Sequence, residues 1–462
     1  MLRKHIAVAA RRLVRERVFA TLSIGGLAVG IAASLLAFIY AWHELSYDRF
    51  IPGYRTIYRV STTYWAPGAA VTAVDPAPAD VAKWLSVRLP NLKQVARLTE
   101  DVDRPARVGG VASLVKMYWA DPAFFQLFRF QVLGGDAPAA LAEPDAVVIT
   151  HSVARQLFGR DVPVGQTVQI DGKHFFRVAA VIADLPKNTH LTFGIVASSK
   201  SAQSPFWEPD SQAIQASKAW IAHTYFRLPP TVSLEQVGKV LDEFTESAST
   251  KQTGASGMRM KLAVTPIAAI HLQPKASGSL KPRGNRTAIA ATAAVGALIL
   301  LVAVINFVNL ATARVSTRAV EIGVRKSVGV SRLALLTQFT VEASVCTALA
   351  GLLSFAIVGL CIPTFDSMAQ PTLETSDVYQ PIVIAGLVGL LVCVALLSVG
   401  YPAFVLSSIR PAVGLRDRSG YSGGGWVRRV LVGLQFAILT GLLIGVVALF
   451  AQTCLHEKLR MA

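Results

Sequence analysis

The residue pairs best suited to metal chemistry in this chain are His43-Glu44 and His456-Glu457. A zinc hydrolase helix places a second histidine four residues after the first, and neither pair has one. The phosphate-binding pattern G-x-x-x-x-G-K-[ST] does not occur, and the glycine triplet at 423–425 is followed by Trp426 rather than by lysine. We therefore expect a non-catalytic chain that binds no metal or cofactor and does not hydrolyse ATP itself.

The composition indicates a membrane protein. Of its 462 residues 53% are hydrophobic and 16% are charged, whereas soluble proteins carry about 25% charged residues. The deficit is local, because segment 43–286 has an ordinary soluble composition. Five apolar runs reach the roughly 20 residues that cross a bilayer, at 18–42, 287–310, 340–362, 381–406 and 430–454.

The first and third of these runs have features that affect their interpretation. The run at 18–42 is too long for a signal peptide and lacks a cleavage site, so it is predicted to be a signal anchor. The run at 340–362 contains Glu342, and an acid inside a membrane is costly and often functional. Because Glu342 lies in the first turn of its predicted span, we place it at the membrane interface.

Lysine and arginine in the short loops predict the orientation. Segments 1–17, 311–339 and 407–429 carry basic clusters, whereas 363–380 has neither lysine nor arginine and holds three acids. Because basic loops remain in the cytoplasm, segment 43–286 and the C-terminus are predicted to lie outside. The net charge of +17 is then largely a topological signal, and we expect no nucleic-acid partner.

The exported segment has the patterns of a mixed α+β domain. Two stretches alternate or run apolar as strands do, at 56–65 and 146–150. Asp171-Gly172 predicts a hairpin turn, and Ser233 with Gln236 forms a capping box before an amphipathic helix. The polar stretch 246–257 is predicted to be a loop. We expect one large domain of two subdomains between spans one and two.

A basic amphipathic stretch at 311–338 follows the second span. Within it, a run of valines and Ile322 is interrupted by Glu321, Arg325 and Lys326, with Gly323 and Gly329 as break points. On the residues alone two interpretations remain open. The stretch is either a helix on anionic lipid headgroups or a docking element for a cytoplasmic partner.

The sequence EIGVRKSVGVSR at 321–332 resembles the signature loop of the MacB/FtsX-like permeases of ABC transporters. Five pieces of the exported segment resemble the MacB-type periplasmic core of that family, at 44–60, 120–136, 146–165, 181–193 and 270–274. The pieces occur in the family's order, and the resemblance as a whole extends over nearly the whole chain. The resemblance implies a multi-pass α-helical protein of the bacterial inner membrane with a periplasmic α+β domain.

The resemblance also implies partners. A separate cytoplasmic ABC ATPase subunit would bind ATP and magnesium, and its movement would change the shape of the periplasmic domain. The residues implied to couple to that subunit are Glu321, Gly323, Arg325, Lys326 and Gly329. A second permease half or a second copy of the chain would complete the membrane part, and a periplasmic adaptor is a further expected partner.

One feature departs from the family pattern of four spans per half. The fifth run, at 430–454, precedes a short external tail at 455–462 and resembles the start of a second half. The chain is therefore expected to be the first half of a duplicated permease, or else a truncated and inactive product. An envelope sensor is a third possibility, which the absence of a kinase or coiled-coil output disfavours.

Gly26 and Gly30 form a small-x-x-x-small pair in the first span. Such pairs let membrane helices approach closely, although glycine is also simply frequent in membrane helices. The sequence predicts that spans one and two pack together at these glycines.

The predicted topology can be tested with reporter fusions at Gly53, Thr372 and Ser422. Because the basic loops should stay inside, these fusions should report outside, outside and inside respectively. A cytoplasmic signal at Thr372 would show that the assignment of the acidic loop is wrong.

Overall fold

The computed structural model describes residue 11 and residues 13–461, except for 66–67, 69, 208–220, 253–258, 318–323, 325–327, 329–330, 369–378 and 409–424. The chain divides into two compact units. Met1–His43 and Thr287–Ala462 form one unit, which we call the membrane unit, and Glu44–Arg286 form the other, which we call the core domain. The chain therefore passes from one unit to the other twice, at 43/44 and at 286/287.

Helix α1 (Arg17–Leu45) is the first long helix of the chain. Its 29 residues extend roughly 44 Å at 1.5 Å per residue, which exceeds the roughly 30 Å of a bilayer's hydrocarbon core. The helix begins just before the predicted run at 18–42 and continues three residues past it, so that its last turn contains Glu44, the first residue of the core domain.

The strands of the core domain are β1 (Ile57–Trp65), β2 (Thr72–Val74), β3 (Ala77–Pro78), β4 (Val95–Val108), β5 (Val111–Ala120), β6 (Val132–Gly135), β7 (Ala146–Thr150), β8 (Thr167–Ile170), β9 (His174–Ile182), β10 (Ile195–Ser198), β11 (Ile221–Arg227) and β12 (Arg259–Pro266). They form one sheet in the order β12-β1-β11-β4-β5-β10-β7-β9-β6, with β2 on β1, β3 on β11, and β8 on β4 and β9. Only β5–β10 and β7–β9 pair in parallel among the described strand pairs.

The core-domain helices are α2 (Asp80–Arg88), α3 (Phe124–Leu127), α4 (Ala137–Ala140), α5 (His151–Phe158), α6 (Leu234–Gln252) and α7 (Ile267–Ile270). Helices α2 and α6 pack on strands β1, β11 and β12 through one buried apolar cluster, in which Leu85 and Phe244 are members. A second cluster joins α5 to β7, β8 and β9. The prediction of a mixed α+β domain is thus confirmed, while its division into two subdomains stays a prediction.

Several local predictions are confirmed. Strand β7 is buried at every residue, as its apolar run indicated. Asp171 and Gly172 both have left-handed φ angles, 53° and 66°, as a tight hairpin turn requires. The Ser233 hydroxyl accepts a hydrogen bond from the Gln236 amide at 3.2 Å, and the Gln236 side chain accepts one from the Ser233 amide at 2.8 Å.

The predicted loop at 246–257 is wrong for its first seven residues, because α6 continues to Gln252. Ala248 explains the extension. Its side chain is 1% exposed and packs in the same cluster as Val240 and Phe244, so it continues an apolar stripe at four-residue spacing. A small apolar residue among serines and threonines gave too weak a signal for the helix to be predicted.

The remaining helices of the membrane unit are α8 (Arg286–Thr317), α9 (Arg332–Met368), α10 (Pro381–Ser408) and α11 (Gly425–Met461). Within the described residues, four segments are long and apolar enough to cross a membrane: Arg17–Leu45, Arg286–Ala313, Thr340–Thr364 and Arg429–Ala448. The corresponding apolar segment of α10, Pro381–Leu396, is shorter. Four candidate spans are therefore established, and five spans stay a prediction.

Glu342 lies near the start of the third candidate span. Helix α9 begins at Arg332, but its apolar segment is Thr340–Thr364, so Glu342 lies in the first turn of that segment. Its side chain is 8% exposed, and its position at the membrane interface stays a prediction.

Gly135 at the end of β6 offers a test of the sheet. Its φ is 80°, and a Cβ there would overlap the carbonyl of Ala179 on β9. Gly135→Ala should therefore cost about 1–3 kcal/mol in left-handed strain and about 1–3 kcal/mol in overpacking. Urea unfolding of the purified core domain measures the loss.

Gly172→Asn is the matched control, since Gly172 has φ 66° and no atom within 4 Å of its Cβ position, and asparagine tolerates this conformation. If Gly135→Ala unfolds at the same urea concentration as the control, the β6–β9 pairing described above is wrong.

Candidate functional site

The residues predicted to couple to an ATPase lie outside the described part of the chain. They are Glu321, Gly323, Arg325, Lys326 and Gly329. Between them, Val324 and Val328 are described, and their side chains are exposed. The coupling assignment therefore stays a prediction.

Gly26 and Gly30 of α1 both face α8. A Cβ at Gly30 would overlap Cβ of Ala303, whereas a Cβ at Gly26 would lie 3.6 Å from the amide nitrogen of Asn306. Leu27 and Ile31 on α1 pack in the same buried cluster as Ala303. The two helices thus approach closely at Gly30, where any larger side chain must displace α8 at Ala303.

One set of mostly buried, hydrogen-bonded residues of the core domain includes residues next to both chain crossings. We call this set the junction network, and its members are Glu44, Tyr47, Asp48, Arg59, Asp75, Thr189, His190, Tyr225, His271, Ser279, Lys281, Arg283 and Gly284. It joins the end of α1, strands β1 and β11, the loop before β10, and the return segment 271–286 that leads to α8. Charged groups rarely lie fully buried unless they are paired, so the partners of each one define the geometry.

His271 lies at the centre of the first part of the network. Its Nε2 donates to the Glu44 carboxylate at 2.8 Å, and both side chains are 5% exposed. The Tyr47 ring stacks on the imidazole with ring centroids 3.4 Å apart. The His271 carbonyl accepts a hydrogen bond from the Gly284 amide at 2.9 Å. His271 therefore contacts both the segment that enters the core domain and the segment that leaves it.

Gly284 is glycine for a steric reason. A Cβ there would lie 2.5 Å from the Glu44 carboxylate and 2.6 Å from His271 Nε2. Real Cβ atoms do not approach other heavy atoms this closely, since such contacts lie far inside van der Waals separation. Any other residue at this position must push the Glu44–His271 pair apart.

Asp48 organises the second part of the network. It has a left-handed φ of 60° and is fully buried. Its carboxylate accepts from the Thr189 hydroxyl at 2.6 Å and from His190 Nδ1 at 2.8 Å. The other nitrogen of His190 lies 2.8 Å from the Tyr225 hydroxyl. Burial raises the pKa of Tyr225, so this hydroxyl keeps its proton and completes a chain of hydrogen bonds.

Asp75 organises the third part. Its carboxylate accepts from Arg59 at 2.7 Å and from the Ser279 hydroxyl at 2.7 Å, and it also binds Arg283. Burial alone would raise the pKa of Asp75, but Arg59, Ser279 and Arg283 together outweigh burial and lower it. The carboxylate therefore remains charged and fixes the return segment to strand β1.

Basic side chains of the network lie close to two of its buried carboxylates. Arg59 and Arg283 both pair with Asp75, and Lys281 lies within the electrostatic influence of Asp48. Burial lowers the pKa of Lys281, and the charge of Asp48 opposes that effect. Burial also lowers the pKa of neighbouring His223 to about 3, so His223 adds no charge at neutral pH.

Sequence reasoning missed these partners because they are far apart in the chain. Glu44 and His271 are separated by 227 positions, and Asp48 and His190 by 142. The segments 44–60, 181–193 and 270–274 stood out only as pieces of a family pattern. Among the described residues, no group of three or more histidine, cysteine, aspartate or glutamate side chains is arranged to hold a metal ion.

Long apolar helices interrupted by a folded α+β domain define a membrane protein with a large domain outside the bilayer. Residues 20–244 match the model of the MacB-like periplasmic core domain, and residues 293–411 match the FtsX-like permease C-terminal model. The chain belongs to the MacB/FtsX-like permease family of ABC transporters, and its core domain is of the extracytoplasmic type.

Curated relatives agree with this assignment. The chain is 24% identical over 315 residues to the macrolide export ATP-binding/permease protein MacB of Shewanella sp. strain W3-18-1, covering 66% of this chain and 44% of the relative. It is 25% identical over 321 residues to the protein of the same name from Shewanella oneidensis, covering 66% and 45%. The chain thus spans less than half the length of these relatives.

Solved structures similar to the core domain have low TM-scores. A permease-protein domain from Porphyromonas gingivalis gives a TM-score of 0.40 at 20% identity, covering 47% of this chain and 91% of that one. The periplasmic region of MacB from Actinobacillus actinomycetemcomitans gives 0.34 at 15% identity, covering 48% and 92%.

The close approach of α1 and α8 predicts the effect of a larger side chain. Gly30→Leu should lower the yield of assembled, monodisperse permease while leaving membrane insertion intact, because the added side chain must displace α8 at Ala303. Size-exclusion chromatography in mild detergent measures the yield.

Gly25→Leu is the matched control in the same helix, since a Cβ at Gly25 meets no atom within 4 Å. Equal yields of assembled protein from the two variants would contradict a packing role for Gly30.

Proposed function

We propose that this chain couples ATP hydrolysis by a separate cytoplasmic ATPase subunit to a change in shape of its core domain, as a permease subunit of an ABC transporter in a bacterial inner membrane. The observation that carries the proposal is the position of the FtsX-like match. It covers residues 293–411, and so includes the basic amphipathic stretch between α8 and α9.

The charge distribution supports a cytoplasmic position for that stretch. Segments 1–17, 311–339 and 407–429 carry the basic clusters of the membrane unit, and such loops are retained on the cytoplasmic side. The inserted core domain then lies on the opposite side, consistent with its periplasmic type. An ATPase subunit in the cytoplasm could reach this permease only through these loops.

The proposed coupling gives specific roles to residues of this chain. Glu321 and Arg325 would form ion pairs across the interface with the ATPase, and Gly329 would permit close backbone approach. ATP and magnesium would be bound by the partner. A second permease half or a second copy would supply the symmetry-related helices, and a periplasmic adaptor would contact the core domain.

The curated relatives are named for macrolide export, but the chain spans less than half of their length. We propose export or mechanical transmission to the envelope as the class of output, because the core domain is the part that would change shape.

The coupling residues can be tested by mutation. Glu321 and Arg325 are four apart, and if they only pair with each other on one helix their interaction contributes about 0.2–0.5 kcal/mol. If they are docked, removing one partner of a buried charge pair costs about 2–5 kcal/mol, which weakens binding roughly 30-fold or more. Glu321→Ala and Gly329→Leu should therefore reduce co-purification of the ATPase or uncouple hydrolysis from output.

The exposed pair Glu235–Lys239 on α6 has the same four-residue spacing and an O–N distance of 2.8 Å. Glu235→Ala is thus a matched control and should leave co-purification unchanged. Pull-down and ATPase rates in reconstituted membranes are the measurements. Unchanged binding and coupling in both test variants would instead favour a helix that lies on the membrane surface.

A further inference from the structure

We propose that His271 is a positioning residue that ties together the two chain crossings, so that the helices entering and leaving the core domain act on it as one lever. This inference rests on the proposed function and specifies how movement would reach the core domain. We call the contact among Glu44, His271 and Gly284 the junction clamp.

The need for such a contact follows from connectivity. The core domain is covalently attached to the membrane unit only at 43/44 and 286/287. If the two attachment points could move separately, displacement of one helix would be absorbed by local bending of the segments beside the crossings. A rigid connection between the attachment points makes both displacements act on the whole domain.

The clamp provides this connection through two different groups of one residue. The His271 side chain binds Glu44 in the last turn of α1 at 2.8 Å, and its carbonyl binds the amide of Gly284 at 2.9 Å. Gly284 lies two residues before the start of α8 at Arg286. Glu44 and Gly284 are therefore connected through a single residue, His271, by two hydrogen bonds.

The return segment is fixed to the sheet independently of the clamp. Arg283 binds Asp75, which also binds Arg59 on strand β1. Backbone hydrogen bonds link Ser277 to Ala73 and Asp75, each at 2.9 Å. A displacement of Gly284 is therefore passed to β1, which lies between β12 and β11 in the sheet.

The choice of a polar pair argues for more than stability. A buried ion pair contributes little net stability, and well-packed apolar side chains often replace it without loss. A charge-assisted hydrogen bond does, however, fix distance and direction. Tyr47 stacks on the imidazole and restricts its orientation, while Gly284 leaves the space that the Glu44–His271 pair needs. The clamp therefore fixes a geometry that apolar packing alone would leave adjustable.

The test uses the full chain reconstituted in lipid nanodiscs with its ATPase subunit. Two readouts are taken: ATPase co-purification, and the ATP-dependent change in hydrogen exchange of the core domain. His271→Ala and Gly284→Ala should leave co-purification unchanged and reduce the ATP-dependent change by roughly tenfold, which corresponds to about 1.4 kcal/mol of coupling. Glu44→Ala should do the same.

Glu44→Gln is the conservative variant, since its amide oxygen can still accept from Nε2, and it should retain most of the response. A purely structural role would not separate Glu44→Gln from Glu44→Ala once folded protein is matched by exchange protection of the sheet. Glu243→Ala is the control, because its ion pair with Arg88, also in the core domain, spans 155 positions at 2.9 Å and is half exposed.

The outcomes distinguish the two proposals. If the wild-type chain binds the ATPase and responds to ATP, and if Glu44→Ala and Gly284→Ala respond equally well, the clamp is overturned and the proposed function stands. If the wild-type chain neither binds nor responds, the proposed function fails and the clamp fails with it. Should His271→Ala not fold, the comparison of Glu44→Gln with Glu44→Ala still decides.

Discussion

The hydrogen bond between the Glu44 carboxylate and the His271 imidazole connects the beginning of the core domain with its end. Both groups are almost fully buried, and a charged carboxylate in such a place is tolerated only when its acceptors are satisfied. The two residues are 227 positions apart in the sequence, so the bond brings together segments that are distant along the chain. Together with the hydrogen bond from Gly284 to His271, it connects residues close to both attachment points.

Sheet topology explains how such distant residues meet. The first strand, β1, and the last, β12, are neighbours and pair in antiparallel fashion from Tyr58↔Pro266 to Trp65↔Arg259. The chain before β1 and the chain after β12 therefore lie at the same end of this strand pair. His271 follows β12 directly after the short helix α7, and the register thus brings it to the end of α1.

Much of the fold could be predicted because its signals are local. Strand β7, the turn at Asp171-Gly172 and the capping box at Ser233 each depend on a few adjacent residues, and the apolar helices depend on composition. The junction network could not be predicted in this way. A histidine or aspartate has the same appearance in sequence whether it is exposed or buried, and its partner is chosen by strand order. The sequence prediction also missed the continuation of α6 through Ala248, because the burial of Ala248 depends on tertiary packing.

Helix α8 connects the two parts of the proposed function. It begins at Arg286, two residues after Gly284, and ends at Thr317, four residues before Glu321, the first of the residues proposed to couple to an ATPase. Its 32 residues extend roughly 48 Å at 1.5 Å per residue, and it contains no proline to absorb bending. Helix α1 packs on α8 at Gly30 in the membrane unit. In the core domain, Glu44 at the end of α1 binds His271, whose carbonyl binds Gly284 just before α8. The two helices are therefore connected in both units. Movement at the end of α8 that is proposed to face the cytoplasm would then displace both attachment points together, which is the condition for a change of shape in the core domain rather than local bending.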